Sequence, residues 1–284
     1  MYKDPIYHLL RRHKAALAAA TALGLALLII SLVEGSRLKT SAFMLTILGC
    51  FLVSEFIYHS GKMNFPDWKI KAPRSEWRVV LFIQIVGLVL LVTAFVLIDR
   101  STLARSWGMV LMALRIIFIF PVFLLVYFLA VRRYSLVDIG FRLRHAYVAF
   151  PLIILIGVVS FFGFPEGVQF ADILQQHGYW SFLTLGFLTA ALPEEILRNL
   201  FQSRLSAISG SKSLGWFLAS LIWALSHIPS FGSQSGDYIS ATLGALGIMP
   251  IGLLWGYLNE RYRSIVPAVL IHGTNLWGLQ NIFS

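Results

Sequence analysis

Long apolar stretches, separated by short polar segments, recur along the whole chain. A helix needs about 20 mainly apolar residues to cross the hydrocarbon core of a bilayer. The pattern predicts spans near residues 15–33, 41–59, 79–98, 106–131, 146–163, 181–207, 213–228, 238–258 and 264–282. We therefore predict an all-α fold, a polytopic transmembrane helical bundle with about eight to nine spans.

The most polar connection, at residues 58–77, separates the first two predicted helices from the rest. We divide the chain into N-terminal transmembrane helices at 1–60, further transmembrane helices at 61–133, and a core at 134–284 that carries the polar spans. The first apolar stretch follows a basic run, but it is long and no small-residue cleavage site follows it. We therefore expect an uncleaved helix rather than a signal peptide.

Composition and charge support a membrane protein. The chain is 58% hydrophobic and 13% charged, with a mean hydropathy of +0.77, whereas a soluble domain carries about 25% charged residues. The net charge of +10 comes from basic residues in short connections, which is typical of cytoplasmic loops rather than of nucleic-acid binding. If the N-terminus lies on the cytoplasmic side of the membrane, few basic residues lie in loops on the opposite side. These are Arg37, Lys39, Arg100 and Arg105.

This charge pattern predicts an integral multi-pass protein of the plasma (inner) membrane with a cytoplasmic N-terminus. The expected partners are the lipid bilayer and a membrane-associated protein or peptide substrate, and no nucleic acid. The single Cys50 excludes an internal disulfide.

The segment ALPEEILRNL, residues 191–200, places two adjacent carboxylates and a guanidinium inside an apolar span. A charge at the bilayer centre costs about 2.5–3.5 kcal/mol, so such a group normally faces a partner or a cavity. Arg198 follows Glu194 and Glu195 at i+4 and i+3 and can reach either on a helix. We expect one carboxylate to pair with Arg198 and the other to serve in proton transfer. Pro193 lacks an N–H and predicts a kink beside them.

Two further predicted spans carry polar residues at comparable depth. His227 lies in LIWALSHIPS, and His272 and Asn275 lie one turn apart in IHGTNLWG. Together with Glu194 and Glu195, they supply a general base, imidazoles that orient water or bind a metal, and an amide donor for an oxyanion. The combination is typical of a hydrolytic site, whereas a Glu–Arg pair alone also fits a structural ion-pair network.

Other intramembrane hydrolase plans do not match. The chain has no H-E-x-x-H helix, no G-x-S-G stretch and no pair of Asp residues within the predicted spans. For Glu55 and Arg115 we predict structural roles. Gly252 and Gly256, in GLLWG, are predicted to permit close helix packing.

These motifs resemble those of the CPBP family of intramembrane proteases, which includes type II CAAX prenyl endopeptidases and bacteriocin-processing homologues. PEEILRNLFQSRL, residues 193–205, is similar to the family's E-E-x-x-x-R motif, with Arg198 one position earlier. WALSH matches F-x-x-x-H with Trp223 in place of Phe, and HGTN is one residue shorter than H-x-x-x-N. The resemblance covers about residues 134–282, which makes 134–284 a CPBP-like protease core.

The resemblance implies that the first glutamate of the pair is the base acting on water. It also implies that the first histidine positions the water, and that the last histidine and the asparagine stabilise the oxyanion. The implied catalytic set is Glu194, His227, His272 and Asn275, with Glu195 and Arg198 as supports.

Two alternatives stay open. One missing residue rotates helical partners by about 100°, so Glu195 competes with Glu194 as the base. Zinc involvement is disputed in the family, and Glu194, His227 and His272 can either hold zinc with an open position for water or activate water without a metal.

We expect an intramembrane endopeptidase that hydrolyses a peptide bond near the C-terminus of its substrate. A prenylated CAAX tail, a bacteriocin leader and a C-terminal sorting tail all fit this expectation. The alternative is a non-proteolytic polytopic membrane protein, either a transporter or an inactive binding homologue, that uses the same polar core.

Overall fold

The structure is a computed structural model that describes residues 37–61, 63, 65–98, 120–163 and 185–275. Its α-helices are α1 (Arg37–Ser60), α2 (Pro73–Ile98), α3 (Phe120–Leu125), α4 (Ala149–Gly163), α5 (Leu192–Ser209), α6 (Lys212–Leu225), α7 (Ile228–Ser235), α8 (Tyr238–Gly247), α9 (Met249–Tyr262) and α10 (Val266–Asn275). Helix α3 continues into a π-helical turn at Val126–Val131, and a 3-10 turn at Leu143–Val148 precedes α4. A π segment at Leu185–Ala191 leads into α5. Every regular element in the described ranges is helical, which confirms the all-α prediction there. The predicted span at 15–33 and Arg115 lie outside them.

Three helical stretches in the described ranges are long and apolar enough to cross a membrane, at Ser41–Ser60, Lys212–Gly232 and Tyr238–Tyr262. The second combines α6 with part of α7, and the third combines α8 with α9. Each coincides with a predicted span. Large apolar side chains also lie on the outer surface of the bundle, among them Leu45 at 68% and Phe56 at 67% exposure on α1. Such a surface fits lipid contact, and the chain is an integral membrane protein. The full number of spans, the three-part division of the chain and the orientation stay predictions.

Prolines determine where two of the predicted spans break. Pro229 has no N–H, so the carbonyl of Leu225 has no helical donor four residues later, and α6 ends at Leu225. Pro250 follows a similar break at Ile248, between α8 and α9. The sequence pattern had predicted His227 inside a continuous helix, but the structure places it in the turn between α6 and α7.

Helix α9 is the centre of the bundle. Residues 249–260 are all buried, and the helix contacts α1, α5, α6, α8 and α10. Two glycines permit this approach. A Cβ at Gly252 would lie 2.7 Å from the Trp223 ring, and one at Gly256 would lie 2.8 Å from Gln202 Oε1. The predicted packing role of both glycines is confirmed.

Helix α5 is buried on an apolar face and on a polar face. Ile196 and Leu200 belong to an apolar cluster with residues of α2 and α3. The polar face carries Glu195, Arg198 and Gln202, all buried. The Gln202 amide donates to the carbonyl of Gly256 at 2.9 Å, and this contact turns the polar face toward α9.

A second buried ion pair fixes the C-terminal half of α5. Arg204 Nε lies 3.1 Å from Glu76 Oε2 on α2, and both side chains are fully buried. The other oxygen of Glu76 accepts from Arg132 at 3.1 Å and from the Tyr134 hydroxyl at 2.8 Å. Arg204 lies inside the bundle on α5, where Glu76 balances its charge.

Glu55 has the structural role that was predicted for it. Its carboxylate lies 2.6 Å from Arg261 Nε and 3.2 Å from His59 Nε2. The Arg261 guanidinium also lies 3.5 Å from the ring centroid of Tyr58. These contacts join α1 to the end of α9.

The segments that were predicted on one side of the membrane contact one another. Asp67 pairs with Arg263 at 2.6 Å and with Lys212 at 2.5 Å. The Lys71 ammonium donates to the carbonyl of Arg132 at 2.6 Å. We call this end of the bundle the basic end. That it faces the cytoplasm stays a prediction.

We expect Arg204→Met to lower the free energy of unfolding by about 3–5 kcal/mol, because it leaves Glu76 Oε2 buried without its cationic partner. Lys69→Gln is the control, because the Lys69–Asp138 pair at 3.5 Å is exposed and such pairs contribute about 0–1 kcal/mol. Thermal unfolding in detergent measures both variants. Equal losses of stability would contradict the assignment of the buried pair.

Candidate active site

The two adjacent glutamates lie in the first turn of α5. The π segment ends at Ala191, and α5 begins at Leu192 with Pro193 in its first turn. The predicted kink at Pro193 corresponds to this change from π-helical to α-helical geometry. Proline is tolerated in a first turn because its missing N–H is not needed there.

Glu195 is completely buried in a polar network. Its Oε1 accepts from Arg198 Nε at 3.2 Å and lies 3.3 Å from His272 Nδ1, and its Oε2 accepts from Asn259 Nδ2 at 3.0 Å. The side chains of Glu195 and Arg198 are both at 0% exposure. The carboxylate therefore joins α5 to α9 and α10.

Arg198 completes this network from the cationic side. Its Nη1 donates to the carbonyl of Gly252 at 3.1 Å. The guanidinium carbon lies 4.2 Å from the ring centroid of Trp223 and 5.4 Å from that of Trp255. The negative faces of aromatic rings attract a cation, so a carboxylate, a carbonyl and two indoles surround the charge.

Glu194 has a different environment from its neighbour. Its side chain is 31% exposed. Its Oε2 accepts a 2.6 Å hydrogen bond from Trp223 Nε1 and lies 3.7 Å from His272 Nε2. No hydrogen bond among the described residues uses its Oε1. One carboxylate of the pair is therefore held in the interior, and the other is accessible with one oxygen free.

His272 lies between the two carboxylates. Its ring stacks on Trp255, with centroids 3.9 Å apart and planes 13° apart. The next residue, Gly273, lies against Phe187 of the π segment, and a Cβ there would overlap the Phe187 ring. Asn275 ends α10 one turn later. Its side chain lies outside what the structure describes.

His227 does not contact the carboxylates directly, because the Trp223 ring lies between them. Its Nδ1 lies 2.9 Å from the carbonyl of Trp223, and its ring packs edge-on against the Trp223 ring at 4.7 Å. Among the described residues, no hydrogen bond joins it to Glu194 or Glu195. Trp223 thus contacts His227 on one side and Glu194 on the other.

The predicted zinc ligands Glu194, His227 and His272 do not form a metal-binding group. Among the described residues, no three His, Cys, Asp or Glu side chains are arranged to hold a metal ion. Only Glu194 and His272 approach each other. Zinc binding by these residues therefore stays a prediction.

Two residues of this network were not predicted from the sequence. Asn259 bonds to Glu195, and it was visible as a polar residue near the end of an apolar span. Trp255 stacks on His272, and an aromatic residue in an apolar helix carries no signal of such a contact. Trp223 had been noted only as a substitute for Phe, not as a hydrogen-bond donor.

Comparison with protein families finds a family model that matches residues 176–277. The matching family model is described as type II CAAX prenyl endopeptidase Rce1-like. All six predicted site residues lie inside the matched range. No curated protein and no solved structure matches the chain.

We expect Gly273→Ala to destabilise the protein by about 1–3 kcal/mol, because the added methyl overlaps Phe187 in a packed contact. Gly157→Ala on α4 is the control, since a Cβ there has no neighbour within 4 Å. Thermal unfolding in detergent compares the two variants.

The double variant Gly273→Ala, Phe187→Ala tests the same contact in reverse. Removing the Phe187 ring should recover part of the stability that Gly273→Ala loses. Additive losses in the double variant would contradict a direct clash between the two residues.

Proposed function

We propose that the protein is an intramembrane endopeptidase in which Glu194 activates water for attack on a peptide bond of a membrane-associated substrate. The family match supports the reaction class. The observation that carries the assignment of the base is the unequal environment of the two glutamates. Glu194 is accessible and keeps an oxygen free, whereas both oxygens of Glu195 accept hydrogen bonds in a fully buried network.

Glu195 and Arg198 serve as the supporting pair. The buried carboxylate balances the guanidinium, and it accepts from the His272 ring when Nδ1 carries a proton. This contact orients the imidazole so that Nε2 faces Glu194. With a proton on each ring nitrogen, His272 also donates from Nε2 toward Glu194 or an oxyanion beside it.

In the proposed reaction, Glu194 takes a proton from water while the water oxygen bonds to the carbonyl carbon of the substrate. The carbonyl oxygen becomes an oxyanion, which N–H donors of His272 and Asn275 stabilise. The C–N bond then breaks, and the proton on Glu194 passes to the leaving nitrogen. The products are a carboxylate and an amine. The family resemblance gives His227 a role in orienting the water, and its side-chain contacts among the described residues are with Trp223 and Phe231.

Trp223 positions the base in this scheme. Its indole N–H donates to Glu194 Oε2 at 2.6 Å, which leaves Oε1 for the water. The resembling family motif has Phe at this position, and Phe has no N–H to donate. The short hydrogen bond is therefore a feature of this chain's own sequence.

The substrate that we propose is a membrane-associated protein or peptide cleaved near its C-terminus. A farnesylated peptide ending in a CAAX sequence is the first substrate to test, because the matched family is described by that specificity. The unprenylated peptide shows whether the lipid is needed. Peptide cleavage by the purified, reconstituted protein is the measurement. The proposal is refuted if the protein cleaves neither of these peptides and does not cleave a bacteriocin leader peptide.

We expect Glu194→Gln to lower kcat by about 100-fold or more with little change in thermal stability, because it removes a general base at an accessible position. Glu195→Gln should instead lower stability by about 3 kcal/mol or more, because Arg198 stays buried without its carboxylate. Cleavage rates and melting temperatures of both variants separate the two roles. The opposite pattern would make Glu195 the base.

We expect Trp223→Phe to lower kcat by about 10-fold with little change in KM, since a hydrogen bond to a charged group contributes about 1.5–3 kcal/mol. The aromatic ring under Arg198 is kept. Trp216→Phe is the matched control, because the Trp216 indole donates to the carbonyl of Leu253 at 2.7 Å, away from the glutamates. It should reduce stability without the loss of kcat. Equal effects on kcat would show that Trp223 acts through folding alone.

A further inference from the structure

A continuous apolar stripe runs down the outer face of α4 and the 3-10 turn before it. The residues follow one another at intervals of three or four, which places them on one side of a helix. Their exposures are 77% for Leu143, 48% for Tyr147, 63% for Phe150, 64% for Ile154 and 48% for Val158. The stripe is roughly 20 Å long at about 1.5 Å per residue. It therefore exceeds the roughly 15 Å hydrocarbon depth of one leaflet.

Two arginines flank the first residue of this stripe, at the basic end of the bundle. Arg142 Nε makes a 3.5 Å contact with the carbonyl of Val137, and Arg144 Nε donates to His145 Nε2 at 3.2 Å. Among the described residues, neither guanidinium has a carboxylate within 4.0 Å. Their positive charges are not balanced by an ion pair.

The surroundings of Arg142 are short of negative charge. Burial and the positive charges of Arg144 and Arg263 lower the pKa of Arg142, although Asp138 opposes this. Asp138 itself accepts from Lys69 at 3.5 Å and from the backbone N–H of Ser135 at 2.9 Å.

Nearby, the same positive charge acts on a buried histidine. Burial, Arg144 and Arg142 lower the pKa of His145 to about 4, so it stays neutral at physiological pH. Arg263 is paired with Asp67 and Glu260. These two carboxylates therefore balance the charge of Arg263 rather than that of Arg142 or Arg144.

We propose that Arg142, Arg144 and the apolar stripe below them form a binding site for an anionic phospholipid. The phosphate of the headgroup accepts hydrogen bonds from the two guanidinium groups, and an acyl chain lies along the stripe. A guanidinium suits this role because it donates two parallel hydrogen bonds to phosphate oxygens. Basic groups at the membrane surface add about 1 kcal/mol each toward anionic lipid.

This lipid site is connected to the helices that carry the candidate active site. The carbonyl of Ile139 accepts from Asn199 Nδ2 on α5 at 3.1 Å. The carbonyl of Gly140 accepts from the Ile265 N–H at 2.9 Å, and that of Arg142 accepts from Ser264 Oγ at 3.1 Å, both just before α10. A lipid bound at Arg142 therefore stabilises the contact of this loop with α5 and α10.

The test measures the melting temperature of the full chain in an uncharged detergent while lipid is added. We expect phosphatidylglycerol to raise the melting temperature more than phosphatidylcholine does, and free glycerol phosphate to have no effect. Arg142→Gln, Arg144→Gln should abolish the difference between the two lipids. Arg74→Gln, Arg78→Gln is the matched control, because it removes two exposed charges from α2 and should keep the difference.

Three outcomes would overturn the proposal. These are equal shifts with the two lipids, an equal loss of the lipid preference in both double variants, or an equal shift with free glycerol phosphate. If the Arg142, Arg144 double variant does not fold, Arg144→Gln alone replaces it, because Arg144 is exposed. That single variant should reduce the preference for phosphatidylglycerol, and an unchanged preference would refute the site. The readout is stability, so the result does not depend on whether the protein is a protease.

Discussion

The buried ion pair between Glu195 and Arg198 constrains the rest of the site, because both charges need hydrogen-bonding partners in the interior. Removing two charges from water costs several kcal/mol per ion, and this cost is offset only when the remaining hydrogen-bonding positions are filled. Here Asn259, His272 and the carbonyl of Gly252 fill most of them, and Arg198 Nη2 is buried without a hydrogen-bond partner among the described residues. These partners come from α9 and α10, so the pair requires both helices to approach α5 closely. The absence of a side chain at Gly252 makes this approach possible.

The adjacent glutamates have different environments because neighbouring residues on a helix point about 100° apart. When α5 turns Glu195 toward α9 and α10, Glu194 is turned to a partly exposed position beside Trp223. The same helix rotation thus provides one carboxylate that stabilises the bundle and one that is free for chemistry. Arg198 lies near both, so the supporting cation also acts on the proposed base.

Helix α5 is held at both ends by buried charges. Near its start are Glu195 and Arg198, and two turns after Arg198 is Arg204, paired with Glu76 of α2. A hydrogen bond from Asn199 to the carbonyl of Ile139, in the loop before α4, holds the helix between them. This loop also carries the arginines at the basic end. The helix with the candidate base is therefore tied directly to a surface that we assign to the lipid headgroup region.

The sequence by itself determined the helical class, the membrane location and which residues are the candidates for the chemistry. These follow from local signals: apolar length, costly charges in spans and short motifs. Only the tertiary structure decided which glutamate is buried, that Asn259 and Trp255 join the network, and that Arg204 pairs with Glu76. Each of these depends on contacts between residues distant in sequence, such as Glu195 with Asn259, 64 positions apart. Helix rotation and packing set such contacts, and no local pattern of apolar and polar residues encodes them.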